Sequence, residues 1–514
     1  MRRSVIAGAL CVMAVVATAA VAGIASVKPY AVGTGQGYAT TPLLSVGDTV
    51  PETSDPTKSY QMVGIPDGLG AHRTGPNVTV FMNHEFGFTA QSEPVLGEPL
   101  NRGAIVSKWT IAPNGTVVSG ERAYDTVYLG ETLVGPAAAV GNSTRAFARF
   151  CSGSLAGPAE GFDRWIFFAN EEADGANTFD GKGGLSVAVF DNKAYGLPDL
   201  GHFAWEQTIA QPQPAGGSHV VLIGMEDGPS DMEPTKSNSQ VYMYVGTKDP
   251  SSASPLRKNG LVGGKLYVLA PANKTKDSEV AFGSGTLAVQ WVEIPQAGDL
   301  TDVQLEAAAD AAGAFRFARP EDAAWNDANR NQLVFVTTGE ARVDGAVADG
   351  VNRLGRVYEL DLNPADVTKA GRLRVAVNAD DVVGAGGDTA LSPDNIDVGQ
   401  GYLMVNEDGT TTSRAAMSDL GRDGSVWRFD VTKQGVDGTS AKRVAVLDPP
   451  GRTGQAISKG VWETSGIIDT SDLLGASSWL FVVQGHNQSQ PAPAPPGVNT
   501  VEDGQLLILR ATNP

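Results

Sequence analysis

Six times along this chain an apolar run of strand length ends in a carboxylate or a histidine. A second run of the form G-x-apolar-apolar follows each. The first members are VTVFMNHE (78–85), WIFFANEE (165–172), HVVLIGMED (219–227), QLVFVTTGE (332–340), GYLMVNED (401–408) and WLFVVQGH (479–486). Their partners are GAIVSKW (103–109), GLSVAVFD (184–191), SQVYMYVG (239–246), GRVYELDL (355–362), GSVWRFDV (424–431) and GQLLILR (504–510). Strand pairs repeated in this way point to blades around a common axis. Polar residues at corresponding strand ends would then converge on one face, where residues remote in sequence can share a site. The expected fold is all-β, a six-bladed β-propeller. Seven blades is the alternative, because GKLYVLA (264–270) is a further run without an acidic-ended partner before it. A propeller with an open seam would expose a strand edge, so GQLLILR should pair with strands early in the chain.

The 62 glycines and 30 prolines, with only 18% charged residues, fit a loop-rich β protein. One stretch, the Ala- and acid-rich Asp302–Ala314, reads as a helix inserted on the rim. The segment PAPAPPG (491–497) reads as a stiff surface loop inside the last strand pair. A single propeller domain is expected over residues 41–514.

The start MRRSVIAGALCVMAVVATAAVAGIASV has the basic head, apolar core and small residues of an export signal over residues 1–28. Its Arg2-Arg3 pair partly matches a twin-arginine signal, and an ordinary secretory signal stays open. A secreted, periplasmic or cell-envelope location is implied, without a transmembrane segment in the mature protein. Loss of Arg2 and Arg3 alone takes the formal charge from −19 to −21. So acidic a chain has no nucleic-acid partner to neutralise, whereas exported carboxylates suit Ca²⁺.

Without Cys11 of the signal, Cys151 is the one cysteine left. It is an inert buried thiol, an intermolecular bridge or a metal ligand. With five histidines and no HExxH, imidazole-built zinc chemistry is excluded. No G-x-S-x-G, phosphate loop or dinucleotide fingerprint occurs. Carboxylates at strand ends prefer hard cations such as Ca²⁺, Mg²⁺ or Fe³⁺, and a thiolate adds a preference for iron.

The ordered fragments FMNHEFG, RFCSG, FANEE, RPED, SPDN and NEDG, scattered between Phe81 and Arg510, resemble the PhoX-type alkaline phosphatases and their uncharacterised relatives. The resemblance implies a six-bladed propeller, exported as a monomer, that hydrolyses small phosphorylated substrates at a centre of Fe(III) and Ca²⁺. By that resemblance Glu85, Cys151, Glu171, Glu172, Glu206, Glu226, Asp227, Glu321, Asp394 and Glu407 are candidate metal ligands. Arg319 of RPED would grip phosphate beside Glu321. His84 is expected to orient a neighbour or pack rather than bind metal.

This chain departs from the family pattern at two points. Asn170 precedes Glu171 where the family tends to have Cys-Glu-Glu, and Trp205 precedes Glu206 where it tends to have His-Glu. Two alternatives to a phosphomonoesterase are a non-catalytic, Ca²⁺-stabilised binding propeller and another hydrolase on the same site, such as a phosphodiesterase, lactonase or phytase.

Overall fold

The computed structural model describes residue 25 and residues 27–213, 217–228, 238–340, 351–448, 457–486 and 499–512. Residues 25, 27 and 28 apart, the expected export signal lies outside the described residues, as does PAPAPPG.

All twelve runs form strands, and each first member pairs antiparallel with its own second member. Asn77–His84 lies beside Ile105–Ile111, Ile166–Glu171 beside Ser186–Phe190, and His219–Glu226 beside Val241–Thr247. Asn329–Thr337 lies beside Arg356–Asp361, Tyr402–Glu407 beside Ser425–Thr432, and Ser478–Gly485 beside Asp503–Ala511. Each first member takes a further strand on its other edge: Pro66–Thr74, Phe150–Ala156, Trp205–Ala210, Pro320–Asn326, Pro393–Gly399 and Glu463–Asp469. These six innermost strands touch their neighbours in an unbroken circle, the last meeting the first. The architecture is all-β and propeller-like.

The run Lys265–Pro271 extends the third set, between Val241–Thr247 and Thr286–Ile294. Thr286–Ile294 then pairs with Gly371–Asn378, which joins the third and fourth sets into one nine-stranded sheet.

The near-continuous apolar runs follow from burial on both faces. In HVVLIGME, Val220 and Leu222 enter one core cluster while Val221, Ile223 and Met225 enter the next. Leu506 and Ile508 likewise face one cluster, and Leu507 and Leu509 the other. Alternate residues thus fill the two interfaces between stacked sheets, so neither strand face stays polar.

The C-terminal strand Asp503–Ala511 pairs with Tyr38–Ser45, Leu506 opposite Leu44, and so closes the seam between the chain's ends. The lead before residue 41 is also drawn in: Ala31–Gly33 pairs with Gly435–Leu447.

The expected helix runs Asp302–Ala312. Thr301 and Gln304 form its capping box, and Gly313, left-handed at φ 78°, ends it two residues before the expected stop. Its buried Leu305 and Ala309 belong to the same core cluster as Leu266 and Val268. No helix among the described residues is long and apolar enough to cross a membrane.

Near the axis the innermost strands crowd together. A Cβ at Gly68 would stand 2.0 Å from the backbone nitrogen of Gly153, so only glycine fits there.

Candidate metal centre

Every innermost strand breaks register near its start. The slips fall between Pro66 and Leu69, Phe150 and Gly153, Trp205 and Gln207, Pro320 and Ala323, Pro393 and Ile396, and Ser465 and Ile467. Four of these strands are preceded by a non-glycine residue in the left-handed region: Ile65 (φ 45°), Arg149 (φ 46°), Arg319 (φ 58°) and Ser392 (φ 44°). Bulges of this kind bend a strand and re-aim its side chains, and the backbone strain costs on the order of 1 kcal/mol per residue. Here they turn one acid or thiol per strand toward the axis: Asp67, Cys151, Glu206, Glu321, Asp394 and Glu463.

A second ring comes from the ends of the adjacent strands. Glu85, Glu172, Asp227, Glu340, Asp408 and His486, the last residues of the six acidic or histidine-ended runs, all line one cavity of about 850 Å³. Cys151, Glu206, Glu321, Asp394 and Glu463 line the same cavity, together with Arg149, Arg319 and Arg414. Asp67 stands beside two of these lining residues, its ligand atom within 4.8 Å of those of Glu85 and Cys151, and accepts from Ser465 Oγ (2.6 Å) and Gln484 Nε2 (2.8 Å).

Within this assembly three groups of donors stand ready for a cation. The ligand atoms of Asp67, Glu85 and Cys151 lie within 4.8 Å of one another, as do those of Cys151, Glu172 and Glu206, and those of Glu206, Asp227 and Glu321. Cys151 and Glu206 are each shared by two groups. The Cys151 thiol donates to Asp67 Oδ2 at 3.3 Å.

Electrostatics make the same point. Burial, and then repulsion from Glu321, Glu172, Asp67 and Asp227, pushes the Glu206 carboxyl well above its ordinary range. Burial followed by Asp227 does the same to Glu321, against the pull of Arg319. Burial and then Glu321 raise Asp394, and burial raises Glu463 despite its hydrogen bond with His486. Burial, with Asp67 and Glu206 next, raises the Cys151 thiol.

Glu206 Oε2 is buried and accepts no hydrogen bond. Buried polar atoms are rarely left so, and each unpaired one costs roughly 1–3 kcal/mol. Divalent or trivalent cations would satisfy that oxygen, neutralise the repelling carboxylates and suit an all-oxygen donor set with one thiolate. The residues present fit such a centre.

Three of the sequence-derived candidates stand elsewhere. Glu171, Glu226 and Glu407 each immediately precede a cavity-lining acid, and the strand's period of two turns them to the opposite face. Glu171 accepts from the backbone of Ala148 and Phe179, both at 2.9 Å. Glu226 accepts from Gln240 N at 2.8 Å. Glu407 lies in a fully buried ion pair with Arg422 (2.7 Å) and accepts from Trp427 Nε1 (2.9 Å). They brace the loops behind the cavity instead of facing it.

His84 packs behind Glu85, its Nδ1 near Gly64 O (2.9 Å) and its Nε2 near Ser107 Oγ (2.7 Å). Burial lowers its pKa to about 4. Asp67 and Glu463 stand out in no sequence pattern described above, and Arg149 only opens RFCSG, while Glu340, Asp408 and His486 end their runs there but are absent from the candidate ligands. A positional signal for Asp67 and Glu463 exists: each inner-ring residue precedes its outer-ring partner by fourteen (Asp394 to Asp408) to twenty-three (Glu463 to His486) residues.

Arg319 is held by Asp227 in a two-toothed fork, Nε to Oδ1 at 2.9 Å and Nη2 to Oδ2 at 2.8 Å, with Glu321 at 3.2 Å. Arg149 joins Glu85 (2.7 Å) to Glu172 (2.6 Å) on the other side.

Comparison with known proteins gives three findings. The profile of the family described as alkaline phosphatase PhoX matches residues 192–456. No curated protein matches the sequence. Among solved structures, Pseudomonas fluorescens PhoX in complex with vanadate, a transition-state analogue, is similar with a TM-score of 0.63 and 16% identity. That match covers 96% of this chain and 98% of the other. A GH93 α-L-arabinofuranosidase of Fusarium graminearum, with arabinobiose, matches at a TM-score of 0.40 and 10% identity, over 92% of this chain and 98% of that one.

Proposed function

The chain belongs to the alkaline phosphatase PhoX family, and from that premise we propose that it is an exported, metal-dependent phosphomonoesterase whose centre takes iron(III) and calcium. The observation that carries the reading is the convergence of two rings of acids, one thiol and two fixed guanidinium groups on a single cavity. In this reading the fold is a six-bladed propeller over residues 41–514. The nine-stranded sheet counts as two blades joined at their outer edges, and the join of Asp503–Ala511 to Tyr38–Ser45 closes the last blade.

Asp67, Glu85, Cys151, Glu172, Glu206, Asp227, Glu321 and Asp394 would hold the metals, Cys151 and Glu206 each belonging to two of the donor groups. The cations, when bound, would act as Lewis acids on the phosphoryl oxygens and leave the phosphorus more open to attack. The protein's own part is to fix the substrate. Arg319, locked by Asp227 and Glu321, offers Nη1, whose contact with Asp408 is a long 3.5 Å, to a phosphate oxygen without having to be ordered on binding. The carboxylates exclude other anions until the metals are in place, which ties substrate binding to a loaded centre. Export through residues 1–28 would deliver the protein to an environment rich in Ca²⁺.

The test is hydrolysis of a generic aryl phosphate by the purified protein loaded with iron and calcium, from neutral to alkaline pH, with metal content measured on the same sample. Turnover that is lost on chelation and restored by the metals supports the reading. A fully loaded protein that leaves phosphomonoesters intact across that range overturns it.

A further inference from the structure

We propose that Arg149 is a second phosphate-holding residue, set across the cavity from Arg319, and that the pair selects phosphomonoesters over diesters. The proposal rests on the phosphatase reading of this cavity and adds to it a residue and a substrate preference.

The fold makes Arg149 the internal counterpart of Arg319. Each stands in the left-handed region, at φ 46° and φ 58°, immediately before an innermost strand. Each lies two residues ahead of an inner-ring donor, Cys151 and Glu321. Each is tied to an outer-ring acid by a short ion pair, Arg149 to Glu172 and Arg319 to Asp227. The donor groups containing those acids share Glu206, so the two guanidinium groups flank the same centre.

Arg149 is the more open of the two. Its side chain is 48% exposed, against 17% for Arg319. Its Nε and Nη2 are engaged by Glu172 and Glu85, while Nη1 has no hydrogen-bond partner among the described residues. Arg319 has a contact at every nitrogen, the longest being Nη1 to Asp408 at 3.5 Å. A cavity-lining guanidinium held by two carboxylates, with one NH2 group left over, is preorganised to receive an anion.

Selectivity follows from counting oxygens. A phosphomonoester dianion presents three terminal oxygens, enough for two guanidinium groups and a metal. A diester presents two, with one charge fewer and a second bulky substituent, so the two guanidinium groups and a metal must share fewer oxygens and less charge. A site arranged for three oxygens and two charges disfavours a ligand that supplies fewer of both.

The experiment uses the full metal-loaded protein and three chains: wild type, Arg149→Met and Arg149→Lys. Binding of inorganic phosphate is measured by titration calorimetry, metal content by elemental analysis, and kcat/KM on an aryl phosphate and a bis-aryl phosphate. Expected is phosphate binding weakened at least tenfold in Arg149→Met with metal content unchanged. Arg149→Lys should be intermediate, and the monoester-to-diester ratio should fall by a similar factor. Equal phosphate affinity in wild type and Arg149→Met overturns the proposal while leaving the phosphatase reading intact. Loss of metal in Arg149→Met also overturns it, since Arg149 would then serve only as a counter-ion for Glu85 and Glu172. Wild type that binds no phosphate at all removes the reading on which the proposal stands.

Discussion

Glu206→Gln should move the protein's stability in opposite directions with and without metal. Glu206 is fully buried, and its Oε1 accepts from Ser152 Oγ at 2.5 Å and Ser152 N at 3.2 Å, bonds that the amide oxygen of Gln preserves. What the substitution removes is one negative charge from two donor groups whose atoms lie within 4.8 Å of one another. At that separation and an effective dielectric of about 20, two unit charges interact by about 3.5 kcal/mol. At a pH alkaline enough to ionise the raised Glu206 carboxyl, the metal-free protein therefore gains up to about 3 kcal/mol, because its crowded carboxylates lose one repelling member. The metal-loaded protein loses at least as much attraction for each divalent ion, which is a drop of roughly 300-fold in affinity. Thermal unfolding in chelator at that pH should thus occur a few degrees higher in Glu206→Gln than in wild type, and added Ca²⁺ should stabilise wild type far more than the variant. A variant that is less stable than wild type in chelator, and equally stabilised by Ca²⁺, would show that these carboxylates are neutralised by the protein alone. The metal centre would then have no physical basis.

Four further outcomes are expected. Cys151→Ser should lower bound iron while sparing calcium, since a hydroxyl replaces a thiolate poorly at a softer centre; unchanged iron by elemental analysis places the thiol outside the coordination sphere. Arg319→Ala should retain the metals and cut kcat/KM for an aryl phosphate by about 10²–10³, in line with losing a charged hydrogen-bond partner of the substrate; unaltered kinetics remove it from substrate binding. Leu506→Ala, at a fully buried seam position opposite Leu44, should cost about 2–5 kcal/mol in urea unfolding, and a negligible cost would mean that the seam is not well packed. Asp397 is raised by burial to about 7 from an ordinary 3.8, so the stability held by its protonated form is complete below 3.8 and is lost as pH rises to about 7. Asp397→Asn should flatten the fall of the unfolding temperature across that window, and an unchanged slope assigns it to other groups.

How far the sequence reached is clearest in the two rings. The twelve runs were legible because stacked sheets bury both faces of each strand, which leaves long apolar stretches such as WLFVVQ and HVVLIGM. The ends of the first runs were legible too, and their last residues are the outer ring. The innermost strands were not, because PDGLGAHRT and ETSGIID carry glycine, polar residues and a bulge where a strand would show alternation. Their shape is imposed by crowding at the axis, where Gly68 meets Gly153 and Gly466 meets Asp67. Asp67 and Glu463 went unnoticed for that reason.

The misplacement of Glu171, Glu226 and Glu407 has a single geometric cause with a consequence for the site. In a strand, two adjacent acids cannot both face the axis, so Glu-Glu, Glu-Asp and Glu-Asp doublets divide their labour. The second member enters the cavity and the first turns back between sheets. There it is held by backbone amides or an arginine, as Glu407 is by Arg422, Leu391 N (2.7 Å) and Trp427. Each of these carboxylates ties down the loop that carries its neighbour, and for Glu407, paired with Arg422, losing that partner would leave an uncompensated charge costing roughly 3–5 kcal/mol. Sequence motifs treat a doublet as one feature, whereas the fold uses its halves for different ends. The front acid offers charge to whatever the cavity holds. The rear acid keeps the front one at a fixed height, which is what a centre built from six separate strand ends requires if its donors are to stand within reach of a common ion.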